Sequence, residues 1–121
     1  LALLFLLSGC GMSTAHGAPM EQCNFERDAP KNSILKIELA RYGATGYQWF
    51  AEVPKSSDIR LLDEGLVAAK KQAGLTGEPV TQWWTFQVGA GKAATVDFFL
   101  YRVWEGKEHA IKHCVAQVTI K

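Results

Sequence analysis

The chain has 121 residues, room for one domain of ordinary size but not for two. Hydrophobic residues make up 48% and charged residues 21%, the balance of a chain that buries a core, which excludes a generally disordered protein. The 13 Lys+Arg against 12 Asp+Glu leave a formal charge of +1, so there is no field of one sign to attract nucleic acid.

The chain starts with an unbroken apolar run, Leu1 to Leu7 (LALLFLL), followed by Ser8-Gly9-Cys10. A bilayer core needs about 20 apolar residues, so the run is too short to span one and reads as the end of an export signal. The tetrad Leu7-Ser8-Gly9-Cys10 resembles the bacterial lipobox. That implies acylation of Cys10 and a membrane-anchored lipoprotein facing the periplasm or the cell exterior. The alternative is an ordinary signal peptide with a chance cysteine. Residues 1–10 are therefore assigned to the signal remnant, 11–21 to a tether of small and polar residues, and 22–121 to the folded domain. With Cys10 set aside, Cys23 and Cys114 remain, and in an oxidising compartment they are a natural disulfide pair. Two buried thiols are the alternative.

Glycine at 11 positions and 11% aromatics favour short strands joined by tight turns. A first strand near Cys23 to Arg27 is weakly signalled. From residue 34 onwards apolar and polar residues alternate with the period of two that marks a half-buried strand. Ile34 to Ala40 sets Leu35, Ile37 and Leu39 against Lys36 and Glu38, and Tyr47 to Val53 places Tyr47, Trp49, Ala51 and Val53 together. Residues 59–70 are ambiguous, one kinked strand or a hairpin, with Gly65 as a bulge or turn. Thr81 to Val88 groups Trp84, Phe86 and Val88 opposite Trp83, Thr85 and Gln87. Ala94 to Val103 and Ile111 to Ile120 complete the set, the last with Cys114, Ala116, Val118 and Ile120 on one face. No helix of ten residues is indicated. About seven short strands in a hundred residues predict an all-β, immunoglobulin-like β-sandwich, with Trp49, Trp84 and Phe86 in its core.

Connections in an antiparallel sandwich alternate between its two ends. If 59–70 is one strand, the connections at 41–46, 72–80 and 104–110 fall at the same end, the arrangement in which loops on a rigid scaffold form a binding surface. If it is a hairpin, that inference fails. On the residues alone, Thr45-Gly46 reads as an ordinary turn, Arg102 as a strand-end ion-pair partner and Trp104 as a core aromatic.

Three segments in order change that balance: Thr45-Gly46-Tyr47-Gln48-Trp49; Gly74-Leu75-Thr76-Gly77 ahead of Trp84-Thr85-Phe86; and Tyr101-Arg102-Val103-Trp104-Glu105. Together they resemble the Thr-Gly-aromatic turn, the Gly-rich loop and the Arg-Pro-Trp segment of chagasin-like inhibitors of papain-family cysteine peptidases. The resemblance runs from residue 34 to 121. It departs at Gly43-Ala44, where the family has Asn-Pro, at Leu75-Thr76, where glycines are tighter, and at Val103, where the middle proline is lost. What the resemblance implies is a reversible inhibitor, not an enzyme, whose peptidase-binding residues are Ala44, Thr45, Gly46, Tyr47, Gly74, Leu75, Thr76, Gly77, Arg102 and Trp104. The expected partner is a papain-family cysteine peptidase, met by a monomer that is held to a membrane through Cys10. In that role Thr45 would hydrogen-bond near the catalytic Cys and His, and Gly46 would permit close backbone approach. Trp104 would stack beside the cleft, and Arg102 would brace its loop or pair with a partner carboxylate.

Other chemistry has little support. His113 and Cys114 are adjacent in a strand and so point to opposite faces, which excludes a nucleophile pair. His109 and His113 read as solvated surface residues, and no metal-ligand spacing, phosphate loop or cofactor motif stands out. A different exported β-sandwich lipoprotein, such as a lysozyme inhibitor or a carbohydrate- or surface-protein-binding module, accounts for the lipobox and strands but not for the three ordered segments.

Overall fold

The computed structural model describes residues 20–42, 45–55, 57–68 and 79–121. The apolar run, Cys10 and the tether up to residue 19 lie outside these residues, as do Ala44, Gly74, Leu75, Thr76 and Gly77. Seven strands form two sheets: β1 (Glu21–Ala29), β2 (Ile34–Tyr42), β3 (Gln48–Glu52), β4 (Ile59–Ala68), β5 (Pro79–Val88), β6 (Ala93–Tyr101) and β7 (Lys112–Ile120). One sheet has the order β1-β7-β6-β3 and the other β2-β5-β4. A single 3-10 turn, Lys107–His109, lies between β6 and β7. The all-β sandwich is as expected.

Alternation decides what lies between the sheets. Ile37 from β2, Trp84, Phe86 and Val88 from β5, Val96 and Phe98 from β6, and Cys114, Ala116 and Val118 from β7 are essentially without solvent contact, and Trp49 from β3 joins them. Trp84 and Phe98 meet with ring centroids 4.8 Å apart and planes tilted by 58°, a favourable aromatic geometry. Burying each large apolar side chain contributes about 2–3 kcal/mol. Among the described residues the buried Trp84 indole N–H has no hydrogen-bond partner, an opposing cost of about 1–3 kcal/mol.

Residues 59–68 form one strand, paired with β5 from Ile59↔Val88 to Ala68↔Val80. The register shift lies between Leu61 and Asp63, so Gly65 is neither the bulge nor a turn. Its role is different: a Cβ there would come within 2.6 Å of the Trp83 ring, so glycine lets that indole lie across β4 on the outer face. The weakly signalled first strand is real, nine residues long, and parallel to β7. In that register Cys23 stands directly opposite Cys114, and the two are joined by a disulfide across 91 residues of chain.

His113 is not simply solvated. It lies on the outer face of β7, stacked on Phe99 with centroids 4.3 Å apart, and its Nε2 is 2.8 Å from Asp97 Oδ1. His109 is exposed in the 3-10 turn. Tyr47 precedes β3 rather than starting it.

Candidate functional site

Strand register fixes which loops share an end. Tyr42 is opposite Pro79 and Ala68 is opposite Val80, so β2 ends, β4 ends and β5 begins on the same side of their sheet. Gln48 is opposite Tyr101 and Leu100 is opposite Lys112, which does the same for β3, β6 and β7. A single strand at 59–68, rather than a hairpin, is what makes this parity work. Between the end of β4 and the start of β5, residues 69–78 lie outside the described ones.

The two described loops, 45–47 and 102–111, form one unit. Arg102 is its centre: Nε donates to the Thr45 carbonyl at 3.1 Å, and the guanidinium lies 4.5 Å from the Tyr47 ring centroid and 6.0 Å from that of Trp104. Its Nη1 is also 3.5 Å from Glu105 Oε2, an ion pair that keeps the side chain turned into its own loop. An arginine fork suits this work because its planar face stacks on the rings while its edge donates in plane. The Arg102 carbonyl accepts from the amides of Glu105 and Gly106, which closes the tight turn carrying Trp104.

Gly46 has φ +83°, and a Cβ at this position would sit 2.5 Å from Cη2 of Trp104 and 3.2 Å from Cζ2. Glycine therefore serves two local needs, a left-handed backbone and a flat seat for the indole. Trp104 is not a core aromatic: it is 69% exposed, and Val103 beside it is 64% exposed. A large apolar ring held against glycine and otherwise in solvent is a feature of binding surfaces.

Thr45 shapes the turn as well. Its hydroxyl accepts from the Tyr47 amide at 3.3 Å, and its carbonyl is turned back towards Arg102. The other loop is also anchored at its far side. Lys107 Nζ reaches Glu52 Oε1 at 2.9 Å and lies 4.4 Å from the Phe99 ring centroid, folding the 3-10 turn onto the outer face of β3 and β6. Beside the tip is an apolar recess of about 450 Å³ whose walls include Thr45, Tyr47, Trp49, Leu100 and Ile111.

Of the ten peptidase-binding positions expected from sequence, Thr45, Gly46, Tyr47, Arg102 and Trp104 are brought together; the other five lie outside the described residues. No group of three or more His, Cys, Asp or Glu side chains among the described residues could hold a metal ion. One residue was invisible as a site residue. Gln82 shares the inward face of β5 with Trp84, Phe86 and Val88, and the same alternation that marks those as core places a polar side chain among them. A buried glutamine is the signal that could have found it.

The fold is similar to that of the cysteine protease inhibitor EhICP2 from Entamoeba histolytica, with a TM-score of 0.65 and 20% identity over 84% of this chain and 96% of that one. It is also similar to PbICP-C in its complex with falcipain-2, with a TM-score of 0.62 and 16% identity over 90% and 96%. Amebosin in solution gives a TM-score of 0.59 and 14% identity over 86% and 100%. At these identities the likeness is one of fold. No curated protein sequence matches the chain significantly. Residues 28–118, however, match the family model described as Chagasin family peptidase inhibitor I42, a span that contains both joined loops. With three-quarters of its length matched, this chain belongs to the chagasin family of peptidase inhibitors and is not an enzyme.

Proposed function

We propose that this protein inhibits papain-family cysteine peptidases reversibly, by inserting the joined tip of residues 45–47 and 102–104 into the active-site cleft. The observation that carries this reading is the Arg102–Thr45 hydrogen bond. A peptidase cuts a carbonyl that points at its nucleophile and oxyanion donors. At this tip the Thr45 carbonyl is already held by the inhibitor's own guanidinium, so the loop fills a cleft while its carbonyl faces away from attack. Trp104 then supplies the apolar contact beside the cleft, and the loop at 72–80 would complete the surface from the second sheet.

Preorganisation supports the same reading. The ordering cost of a binding loop is met on folding rather than on association, which favours tight, slow-dissociating complexes. PbICP-C, whose fold is similar, forms a complex with falcipain-2, and this supports a cysteine peptidase as the partner proposed for this chain. Export and acylation at Cys10 belong to the same proposal, since the disulfide between Cys23 and Cys114 suits an oxidising compartment.

The test is a titration of papain and, in parallel, of lysozyme. Stoichiometric inhibition of papain, with the inhibitor recovered uncut, is the expected result. Inhibition of lysozyme alone would replace this reading with that of another exported binding module. Intact mass of the exported protein checks for an acyl group at Cys10.

A further inference from the structure

The loop that carries Thr45 leaves β2 in one sheet and enters β3 in the other, so something must hold its two feet across the gap. Gln82 of β5 stands between them. Its Oε1 accepts from Arg41 Nε at 2.9 Å and from the Trp49 amide at 2.7 Å, while its Nε2 donates to the Trp49 carbonyl at 3.1 Å. Arg41 lies at the outgoing foot and Trp49 at the incoming one. Trp49 adds a second tie, its indole Nε1 donating to the Ala40 carbonyl at 3.0 Å.

The chemistry of the amide matches this task. Trp49 pairs with Leu100 of β6 on one side, and β3 is the edge of its sheet. The backbone N–H and C=O of Trp49 both bond the Gln82 amide, and without that side chain they would be buried without these partners. The Gln82 amide offers one acceptor and one donor side by side, as the N–H and C=O of a single residue in a neighbouring strand would. At 8% exposure Gln82 is the one buried polar side chain among the described residues, so its bonds compete little with water. The three contacts also fix the orientation of the amide, because a flipped group would set donor against donor at Trp49. Burial of Arg41 lowers its pKa by desolvation, in keeping with a guanidinium drawn inward to a neutral amide.

We propose that Gln82 is a positioning residue for inhibition: it clamps Arg41 of β2 and Trp49 of β3 and thereby holds the Thr45–Gly46 tip in place against Trp104. This rests on the peptidase-inhibitor reading above for its effect on binding, but not for its effect on the loop.

The experiment therefore has two arms, both on the full chain. In the first, hydrogen exchange of the free protein is compared for wild type, Gln82→Met, Gln82→Asn and Ile59→Val. Gln82→Met removes the amide at similar volume, and Gln82→Asn keeps the chemistry but shortens the reach. Ile59, buried at the opposite end of the sandwich, provides a destabilised control. The expected result is exchange in residues 45–50 that is faster by about tenfold or more in both Gln82 variants and unchanged in the control. Unchanged exchange there in Gln82→Met overturns the clamp.

The second arm measures dissociation of papain from the same variants. Gln82→Met is expected to dissociate about tenfold faster. Combined with Thr45→Ala it should add little, because both act through one loop. Dissociation no faster than in an Ile59→Val control of matched melting temperature would overturn the role in inhibition. If wild type fails to bind papain at all, the inhibitor reading falls, while the exchange arm still decides whether the clamp exists.

Discussion

Replacing Gly46 by alanine adds one methyl group to the tip, and the surrounding geometry determines where that methyl goes. The position has φ +83°, where an L-residue with a Cβ is disfavoured by about 1–2 kcal/mol. The new Cβ would lie 2.5 Å from Trp104 Cη2, whereas carbon atoms rest at about 3.5–4.0 Å, so the rigid indole must move by roughly 1 Å or swing away. Trp104 is 69% exposed, so swinging out costs little stability. The loss on folding should therefore stay near the backbone cost, about 1–2 kcal/mol, a drop of roughly 5–15 °C in melting temperature for a domain of this size. Affinity should suffer more. A displaced Trp104 forfeits an aromatic anchor of about 2 kcal/mol or more, a factor of about 30 in Kd, on top of the misplaced Thr45. Inhibition titrations against papain and calorimetric melting of the same samples separate the two effects. In a Trp104→Ala background the clash is gone, and Gly46→Ala should then cost affinity no more than about fivefold, while Trp104→Ala itself leaves the melting temperature nearly unchanged. Inhibition by Gly46→Ala at wild-type affinity, or strictly additive affinity losses, would refute the view that Gly46 is the seat of Trp104.

Three further outcomes are expected. Arg102→Lys should weaken inhibition by about 5–30-fold with little change in melting temperature, because an ammonium cannot donate to Thr45 and cover Tyr47 at once; equal inhibition would show that the Thr45 tie is dispensable. Replacing both Cys23 and Cys114 with alanine should lower stability by about 4–5 kcal/mol on the chain-entropy model, given the separation of 91 residues, and denaturant titration reads this directly. Two thiols alkylated in the non-reduced, denatured wild type would contradict the bond. Trp84→Phe should cost less than about 1.5 kcal/mol, since the lost ring area is offset by removing a buried N–H without a partner among the described residues. A loss above about 3 kcal/mol would mean that the indole N–H is satisfied in solution.

Pattern alone carried much of the fold. Period-two alternation is a property of each strand by itself, so it could identify Ile37, Trp84, Phe86, Cys114 and Val118 as inward-facing without any knowledge of their neighbours. The disulfide was legible for a similar reason: two cysteines remain after Cys10 is set aside, and no arrangement need be known to pair them. The ordered Thr-Gly-Tyr, Gly-rich and Arg-Val-Trp segments likewise point to the inhibitor family without any tertiary contact.

What required the tertiary structure is everything that depends on contact between distant segments. Gly65 reads as a bulge or a turn because glycine weakens a strand, and only the Trp83 ring lying across it shows why the strand continues. Gly46 and Trp104 are 58 positions apart in sequence, so nothing local reveals that one is the seat of the other. Arg102 had several possible partners, and the fold chose the carbonyl of Thr45. Gln82 is the plainest case: a glutamine inside an apolar stripe breaks the pattern that reads as core, and its meaning depends on an edge strand of the opposite sheet whose backbone it pairs. Sequence thus determined which side chains leave water, because that follows from each strand's own periodicity; tertiary structure decided which polar groups meet, because hydrogen bonds are directional and short and exist only once both partners are in place.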